Sequence, residues 1–401
     1  MKESKIKILF AYDSMILGGS TTALLSLLNS LNPQKYDIAL QLFRNEGPLL
    51  HCIPEHVRLL PEAEIHKGRK GKLIKVIKYV FTGNAFNALF RGTVQAKRLC
   101  FSGAVFADFQ AKKLSRKNTE RYNYAIGFLE GWSNRYIAYN TNAAKKYAWL
   151  HSTFANITSD PDLELPWMQR VDRIVFVTDA CRNSFVETLP QMAKKTITVE
   201  NITNSDVVRK RSIMIDSEDE AYQNFSESPF FKIVTVCRIV VNVKGLDRIV
   251  KCATQLKKRG YSFLWYIIGD GPDEAVLQAL IRGAGVEDCV IAIGKRLNPY
   301  PFIAAANVMC MPSRYEGKPL VISESMILGI PPVVTEYLSA HEQIKNGIEG
   351  IVAENTDDSI TYKLIQCMEN DEELCKMQGY LRTQDYGNWE SVRSLEDTLL
   401  F

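Results

Sequence analysis

The stretch Pro312-Ser313-Arg314-Tyr315-Glu316-Gly317-Lys318-Pro319-Leu320-Val321-Ile322-Ser323-Glu324 holds the residue types best suited to chemistry. The apolar run 307–311 before it reads as a strand. Residues 320–328 after it read as an apolar helix, closed by Gly329 and the prolines that follow. Glu316 and Gly317 then lie on the loop at the carboxyl end of a strand, and Lys318, Pro319 and Leu320 begin a helix. The free N–H groups and positive end of that helix favour a phosphate. Gly317 lets a ligand approach the backbone closely. Glu324 stands two turns beyond Glu316. Carboxylates this far apart need not form an acid–base pair; they can accept hydrogen bonds from the hydroxyls of a sugar.

These residues need a scaffold, and the chain supplies one by alternation. It opens as a strand (6–11), a turn at Gly18-Gly19-Ser20 and a helix (21–31). Short apolar runs rich in β-branched residues recur at 36–43, 125–129, 147–150, 173–177 and 196–199, separated by helical patterns. Alternating strands and helices predict a mostly parallel sheet covered on both faces. Residues 206–229 are polar and turn-forming, and read as a linker between a first domain (1–205) and a second (230–385). The second domain has strands at 231–237, 263–268, 289–293, 307–311 and 332–335, with helices at 246–258 and 273–283 among the connections. Two doubly wound α/β domains with a cleft between them are expected, with ligands beyond the carboxyl ends of the strands.

The 401-residue length suits two domains. The net charge of +4 is too small to argue for nucleic acid as a partner. Nine cysteines without C-x-x-C spacing, several inside apolar runs, read as buried reduced thiols and place the chain in the cytoplasm. No apolar run is long enough to span a bilayer. Residues 67–117 hold thirteen Lys/Arg against the single acid Asp108, with aromatic and aliphatic residues interleaved. That pattern suits either an anionic membrane surface or an ordinary helical excursion packed on the core.

Glu316-Gly317-x-Pro319, Glu324 and Gly329-x-Pro331 together resemble the signature of group 1 (family 4) glycosyltransferases of GT-B fold, of the bacterial polysaccharide-biosynthesis type. Arg238-x5-Lys244-Gly245-x-Asp247, Gly269-Asp270-Gly271-Pro272 and Ile293-Gly294 follow in the family's order. The resemblance covers the second domain; in the first it rests on Gly18-Gly19 and the strand–helix order. It implies a retaining transferase that moves a sugar from a nucleoside diphosphate sugar, UDP by default, to an acceptor hydroxyl of a glycan or lipid-linked glycan. Arg238 and Lys244 would bind the diphosphate and stabilise the leaving group. Glu316 would meet the donor sugar and Glu324 the ribose. Lys295 and Arg296 would lie at the base, and Gly317, Lys318, Pro319, Leu320 and Val321 along the donor. Gly18 and Gly19 would close over the phosphates, and His151 would correspond to the family's active-site histidine. A C-terminal helix (386–401) would return to the first domain.

The resemblance implies no cofactor and no obligatory metal. The other four histidines show no metal spacing, and Asp160-Pro161-Asp162 reads as a helix start with Asp160 as N-cap. The fold is shared by nucleotide-sugar epimerases and could also serve a non-catalytic partner of a transferase. Gly269-Asp270-Gly271 and Gly18-Gly19 both lack the G-x-G-x-x-G pattern of dinucleotide enzymes.

Overall fold

In a computed structural model the described residues are 5–16, 18–65, 103–158, 160–387, 392–393 and 395–397. They divide into two compact units. The first runs to Glu200 and takes in the described C-terminal residues 392–393 and 395–397; the second begins at Asn201.

The first unit is built on seven strands: β1 (Ile6–Tyr12), β2 (Tyr36–Leu42), β3 (Val57–Leu59), β4 (Asn118–Gly127), β5 (Thr141–Leu150), β6 (Arg173–Phe176) and β7 (Thr196–Thr198). Their order is β3-β2-β1-β4-β5-β6-β7 and every pairing is parallel. The second unit has six: β8 (Phe231–Val236), β9 (Phe263–Ile268), β10 (Val290–Gly294), β11 (Val308–Met311), β12 (Pro332–Thr335) and β13 (Ile351–Ala353). Their order is β10-β9-β8-β11-β12-β13, again all parallel. Parallel strands require crossovers, and helices supply them on both faces. The central strands are accordingly apolar throughout: every residue of β9, Phe-Leu-Trp-Tyr-Ile-Ile, is buried. One face of the second sheet packs on Leu246, Ile249, Ala253 and Leu256 of the helix Leu246–Lys258, and the other on Phe302, Ile322 and Met326.

Each sheet reverses strand order once, between β1 and β4 and between β8 and β11. At such a point the two flanking crossovers leave to opposite faces and the loops beyond the strand ends stay open. In the second unit those are the loops after β8 and β11, which carry Arg238 and Glu316.

The polar stretch 206–229 is not a linker. Ser205–Ser212 and Glu220–Ser226 are helices of the second unit. The residues that look like loop residues are caps: Asn204 accepts the Val207 N–H, and Asp219 accepts those of Ala221 and Tyr222. Val208 and Phe225 are fully buried beside Tyr266 and Phe302. β3 and β13, three residues each, fall below the length at which an apolar run stands out. Asp160 precedes the short 3-10 turn Pro161–Leu163, but its carboxylate makes no cap bond there, so the N-cap reading is corrected. At the C-terminus Tyr36 donates to Glu396 at 2.6 Å and Leu395 is buried. Of the expected terminal helix 386–401, residues 392–393 and 395–397 are helical, 386–387 are not, and the others lie outside the described residues. All eight described cysteines are free thiols.

Gly245 links the helices Val241–Lys244 and Leu246–Lys258 at φ 65°, and a Cβ there would strike the Pro312 carbonyl. Gly283, inside the helix Glu274–Ala284, has open space around it. Gly245→Ala should therefore lower stability to urea by about 2 kcal/mol or more, combining left-handed strain with a backbone clash. Gly283→Ala should raise it by about 0.5–1 kcal/mol. Equal midpoints for the two variants would show that the Gly245–Pro312 approach is not a constraint.

Candidate active site

The loop 312–319 leaves β11 and is held at nearly every residue. Arg248 donates to the Pro312 carbonyl at 3.4 Å, and the Thr335 hydroxyl to that of Ser313. Arg314 donates both ends of its guanidinium to Asp247, at 2.8 and 2.7 Å, and its N–H to Val243. Ser339 donates to the Gly317 carbonyl and Gln343 to that of Pro319. A loop with its carbonyls bonded in this way presents its side chains from a fixed frame.

In that frame the Lys244 ammonium lies 2.6 Å from Glu316 Oε1. The Ser313 hydroxyl donates to the same oxygen at 2.7 Å. Burial disfavours the Lys244 charge, but Glu316 more than compensates and leaves its pKa above the ordinary value. Sequence reasoning assigned these two residues to different parts of a ligand; the structure brings them together as an ion pair. Arg238, two residues beyond β8, is exposed; its carbonyl accepts the Val240 N–H at 2.9 Å, but its side chain makes no hydrogen bond or ion pair with a described residue.

The neighbouring strand ends are stitched to this loop. Ile239 donates to the Asp270 carbonyl at 2.8 Å and Gly269 to that of Gly294 at 3.0 Å. A Cβ at Gly269 or Gly271 would strike the backbone of Cys237 or Ile239, which explains both glycines. Lys295 pairs with Asp270 at 3.2 Å. Arg296 is engaged otherwise: it donates to Asp219 at 2.7 and 3.3 Å and to the Ile293 carbonyl at 2.6 Å. Its side chain anchors the helix Glu220–Ser226.

Glu324 sits in the helix Leu320–Ile327 with 7% of its surface exposed. Its Oε1 accepts a hydrogen bond from the Tyr300 hydroxyl at 2.9 Å. Burial pushes its carboxyl up to about 7, against downward pulls from that bond and from the charge of Arg211. Gly317 and Leu320 are buried, and Lys318, Pro319 and Val321 are partly exposed along the same loop and first helical turn, where no side chain caps the helix. Tyr300, Ser313 and Arg211 escaped sequence reasoning: Tyr300 lies 24 residues from Glu324, Ser313 is three residues from Glu316 but carries no local signal of that bond, and Arg211 fell inside the supposed linker.

In the first unit, the His151 and Ser152 N–H groups both donate to Glu130 Oε1, at 2.8 and 2.6 Å. The His151 ring bonds the Phe128 carbonyl through Nε2 at 3.0 Å. A carbonyl only accepts, so Nε2 carries the proton. Burial holds the imidazole pKa below its usual value, against the pull of Glu130. The neutral ring then offers Nδ1 as an acceptor. Gly18 and Gly19 stand at the start of the helix Gly19–Ser30 with open space where a Cβ would lie. Beside them the Tyr12 hydroxyl bonds Ser20 and Thr21, at 2.8 and 3.0 Å.

Among the described residues no group of three His, Cys, Asp or Glu could hold a metal, and no helix is long and apolar enough to cross a membrane. Most of the basic stretch 67–117 lies outside the described residues. Its described end, the helix Gly103–Lys113, packs on the first unit through Ala104, Ala107 and Ala111, and its Asp108 pairs with the buried Arg135 at 2.9 Å.

Two doubly wound parallel sheets with a phosphate-suited loop at a switch point define a class, and comparison with known proteins specifies it. A solved structure of Anabaena HepE in complex with UDP and glucose matches 98% of this chain and 99% of its own, with a TM-score of 0.71 at 15% identity. S. aureus TarM, solved in complex with UDP among other ligands, matches 98% and 99%, with a TM-score of 0.69 at 13% identity. The fold is GT-B. Residues 216–384 match the family described as Glycosyl transferases group 1. An uncharacterized glycosyltransferase of Haemophilus influenzae is 26% identical over 54% of this chain and 58% of its own length. The amylovoran biosynthesis glycosyltransferase AmsK of Erwinia amylovora is 30% identical over 31% of this chain and 33% of its own. The chain thus matches between a third and somewhat over half of the length of these two relatives.

A carboxyl whose pKa rises from 4.5 to about 7 on folding favours the fold most when protonated. Stability from this group is full below pH 4.5 and is lost as pH rises to 7, by roughly 3 kcal/mol. Glu324→Gln keeps an acceptor for Tyr300 and removes the titration. Its melting temperature should exceed that of the parent at pH 8, with the gap closing by pH 4.5. A constant gap across that range would contradict the burial of a titrating carboxyl at this position.

Proposed function

We propose that the protein is a retaining glycosyltransferase that moves a sugar from a UDP-sugar to an acceptor hydroxyl of a glycan or lipid-linked glycan. The observation that carries this is the Lys244–Glu316 pair at the switch point, with the unpaired Arg238 at the adjacent strand end. A diphosphate entering here would draw Lys244 partly off Glu316 and be met by Arg238 and the uncapped N-terminus of the helix Leu320–Ile327. Glu316, its oxygens freed, would accept from the hydroxyls of the donor sugar. Glu324 would accept from the ribose, and the backbone at Lys295 and Arg296 would border the base. In the first unit, Gly18 and Gly19 have open space where a Cβ would lie, and the neutral His151 offers its Nδ1 as an acceptor.

Catalysis would then rest on charge at the leaving group. As the glycosidic bond breaks, negative charge gathers on the diphosphate, and two cations there stabilise the transition state more than the ground state. The leaving phosphate oxygen would take the acceptor proton on the face it leaves, which accounts for retention. The complexes of HepE and TarM with UDP, and the role of AmsK in amylovoran biosynthesis, support a UDP donor and a polysaccharide-type acceptor. Cytoplasmic placement, with the basic stretch 67–117 against an anionic membrane, completes the proposal; charge reversal across that stretch should abolish binding to anionic vesicles, and equal binding would exclude the contact.

A thermal-shift series over UDP, GDP and ADP tests the donor. A nucleotide at a hundred times its dissociation constant should stabilise the fold by about 2.7 kcal/mol, and UDP should give the largest shift. No shift with any of the three would remove the reading. Glu316→Ala should retain the UDP shift and lose about a hundredfold or more in transfer. Undiminished turnover would reject the role given to Glu316.

A further inference from the structure

Glu316 and Glu324 are held in opposite ways. Glu316 faces a cation, whereas Glu324 forms no ion pair among the described residues and faces a phenol. Tyr300 is 4% exposed, so its hydroxyl has left water to serve this one bond. Only Oε1 of Glu324 is engaged; Oε2 has no partner among the described residues and keeps contact with solvent.

Tyr300 is itself held. The Arg211 guanidinium lies over its ring, 5.0 Å from the centroid, and donates to the Leu297 carbonyl at 2.5 Å. Asn298 donates to the Arg211 and Met214 carbonyls, at 2.8 and 3.1 Å. The helix Ser205–Ser212, the turn 297–299 and the first residue of the helix Tyr300–Ala305 thus form one assembly behind Glu324.

We propose that Tyr300 is a positioning residue of the nucleotide site: its hydroxyl fixes Glu324 through Oε1, leaving Oε2 for the ribose hydroxyls, and Arg211 fixes Tyr300. This rests on the reading of Glu324 as the ribose carboxylate given above. The physical reason for a phenol is competition. A lysine or arginine at this place would pair with the carboxylate and contest the ribose, while a neutral donor orients it and leaves its charge to the ligand.

The same arrangement makes binding depend on pH. Only the ionised carboxylate accepts two strong hydrogen bonds from a diol, and burial raises its pKa into the neutral range. The titratable groups around it are few. Tyr300 comes from the helix Tyr300–Ala305 and Arg211 from Ser205–Ser212. The helix Asp371–Thr383 brings Arg382 at the Gly329 end, and β12 brings none. Glu324 is the only titratable residue of its own helix. Loss of the Tyr300 hydroxyl therefore moves the titration upward, since the bond favours the charged form.

The test uses the full chain, Tyr300→Phe, Arg211→Gln and two readouts. Carbon-13 titration of the Glu324 carboxyl, assigned by its absence in Glu324→Gln, is read in the free protein. The midpoint should rise in Tyr300→Phe and, by less, in Arg211→Gln. Calorimetric binding of UDP should weaken about tenfold in Tyr300→Phe at pH 6 and converge with the parent by pH 9, as the carboxyl ionises in both. A purely structural role predicts an equal loss at every pH and overturns the proposal. So does an unchanged midpoint beside normal UDP binding, with the functional reading left standing. Parent protein that takes up no UDP at any pH overturns that reading and this proposal with it.

Discussion

The parallel pairing of β8 with β11 is the constraint on which the rest of the site depends. Two register pairs, Ile233 with Val308 and Val234 with Met309, bring together strands separated in sequence by β9, β10 and their helices. Everything beyond those strand ends follows from it. The chain after β8 turns back at Gly245 against the Pro312 carbonyl, Arg314 bonds Val243, and Lys244 reaches Glu316. The contact leaves no room for a side chain at Gly245, so one residue without a Cβ sets the distance between the two loops. A mostly buried ion pair contributes little net stability, because desolvation offsets attraction. Its persistence at the open end of a sheet suits a pair whose members exchange partners with a ligand.

The two glutamates show how burial and partners divide one residue type into two electrostatic states. Glu316 has an ammonium and a hydroxyl on the same oxygen. Glu324, eight residues later, is sunk into the helix that the loop begins, and among the described residues only a phenol donates to it. Its neutral form is competitive near pH 7 because burial disfavours the charged carboxylate more than the Tyr300 bond and the Arg211 charge favour it. The spacing in the sequence is therefore less informative than the depth to which each side chain is carried.

Apolar runs told the strands apart from their connections, since a strand covered on both faces must be apolar along its length. The strand-end loops were legible for a related reason: Gly269, Gly271 and Gly317 punctuate such runs and leave polar residues at their ends. The partners of those residues were not legible. Nothing near Tyr300 in the sequence points to Glu324, and Pro299-Tyr300-Pro301-Phe302 looks like plain core. Residues 206–229 misled because helix caps and linkers use the same amino acids; Phe225 was the discriminating residue, buried inside an otherwise polar run. In the first unit, His151 could be singled out at a strand end, but its tautomer depends on the Phe128 carbonyl, a contact no local pattern encodes.

Reassigning 205–226 to the second unit also changes what Arg211 and Arg296 do. Both are cations close to a proposed nucleotide site, and both have side chains committed to the protein. Arg296 ties the helix Glu220–Ser226 to the end of β10 through Asp219, and Arg211 ties the helix Ser205–Ser212 to the turn before Tyr300. The segment that enters the second unit is thereby fastened at two places bordering the same strand ends. Their bonds hold structural elements together, whereas Lys244 is paired only with the loop carboxylate Glu316, which a ligand could displace, and the Arg238 side chain has no partner among the described residues. In the site proposed above, Lys244 and Arg238 would therefore meet the diphosphate, and a phenol, with Arg211 behind it, would orient the carboxylate assigned to the ribose.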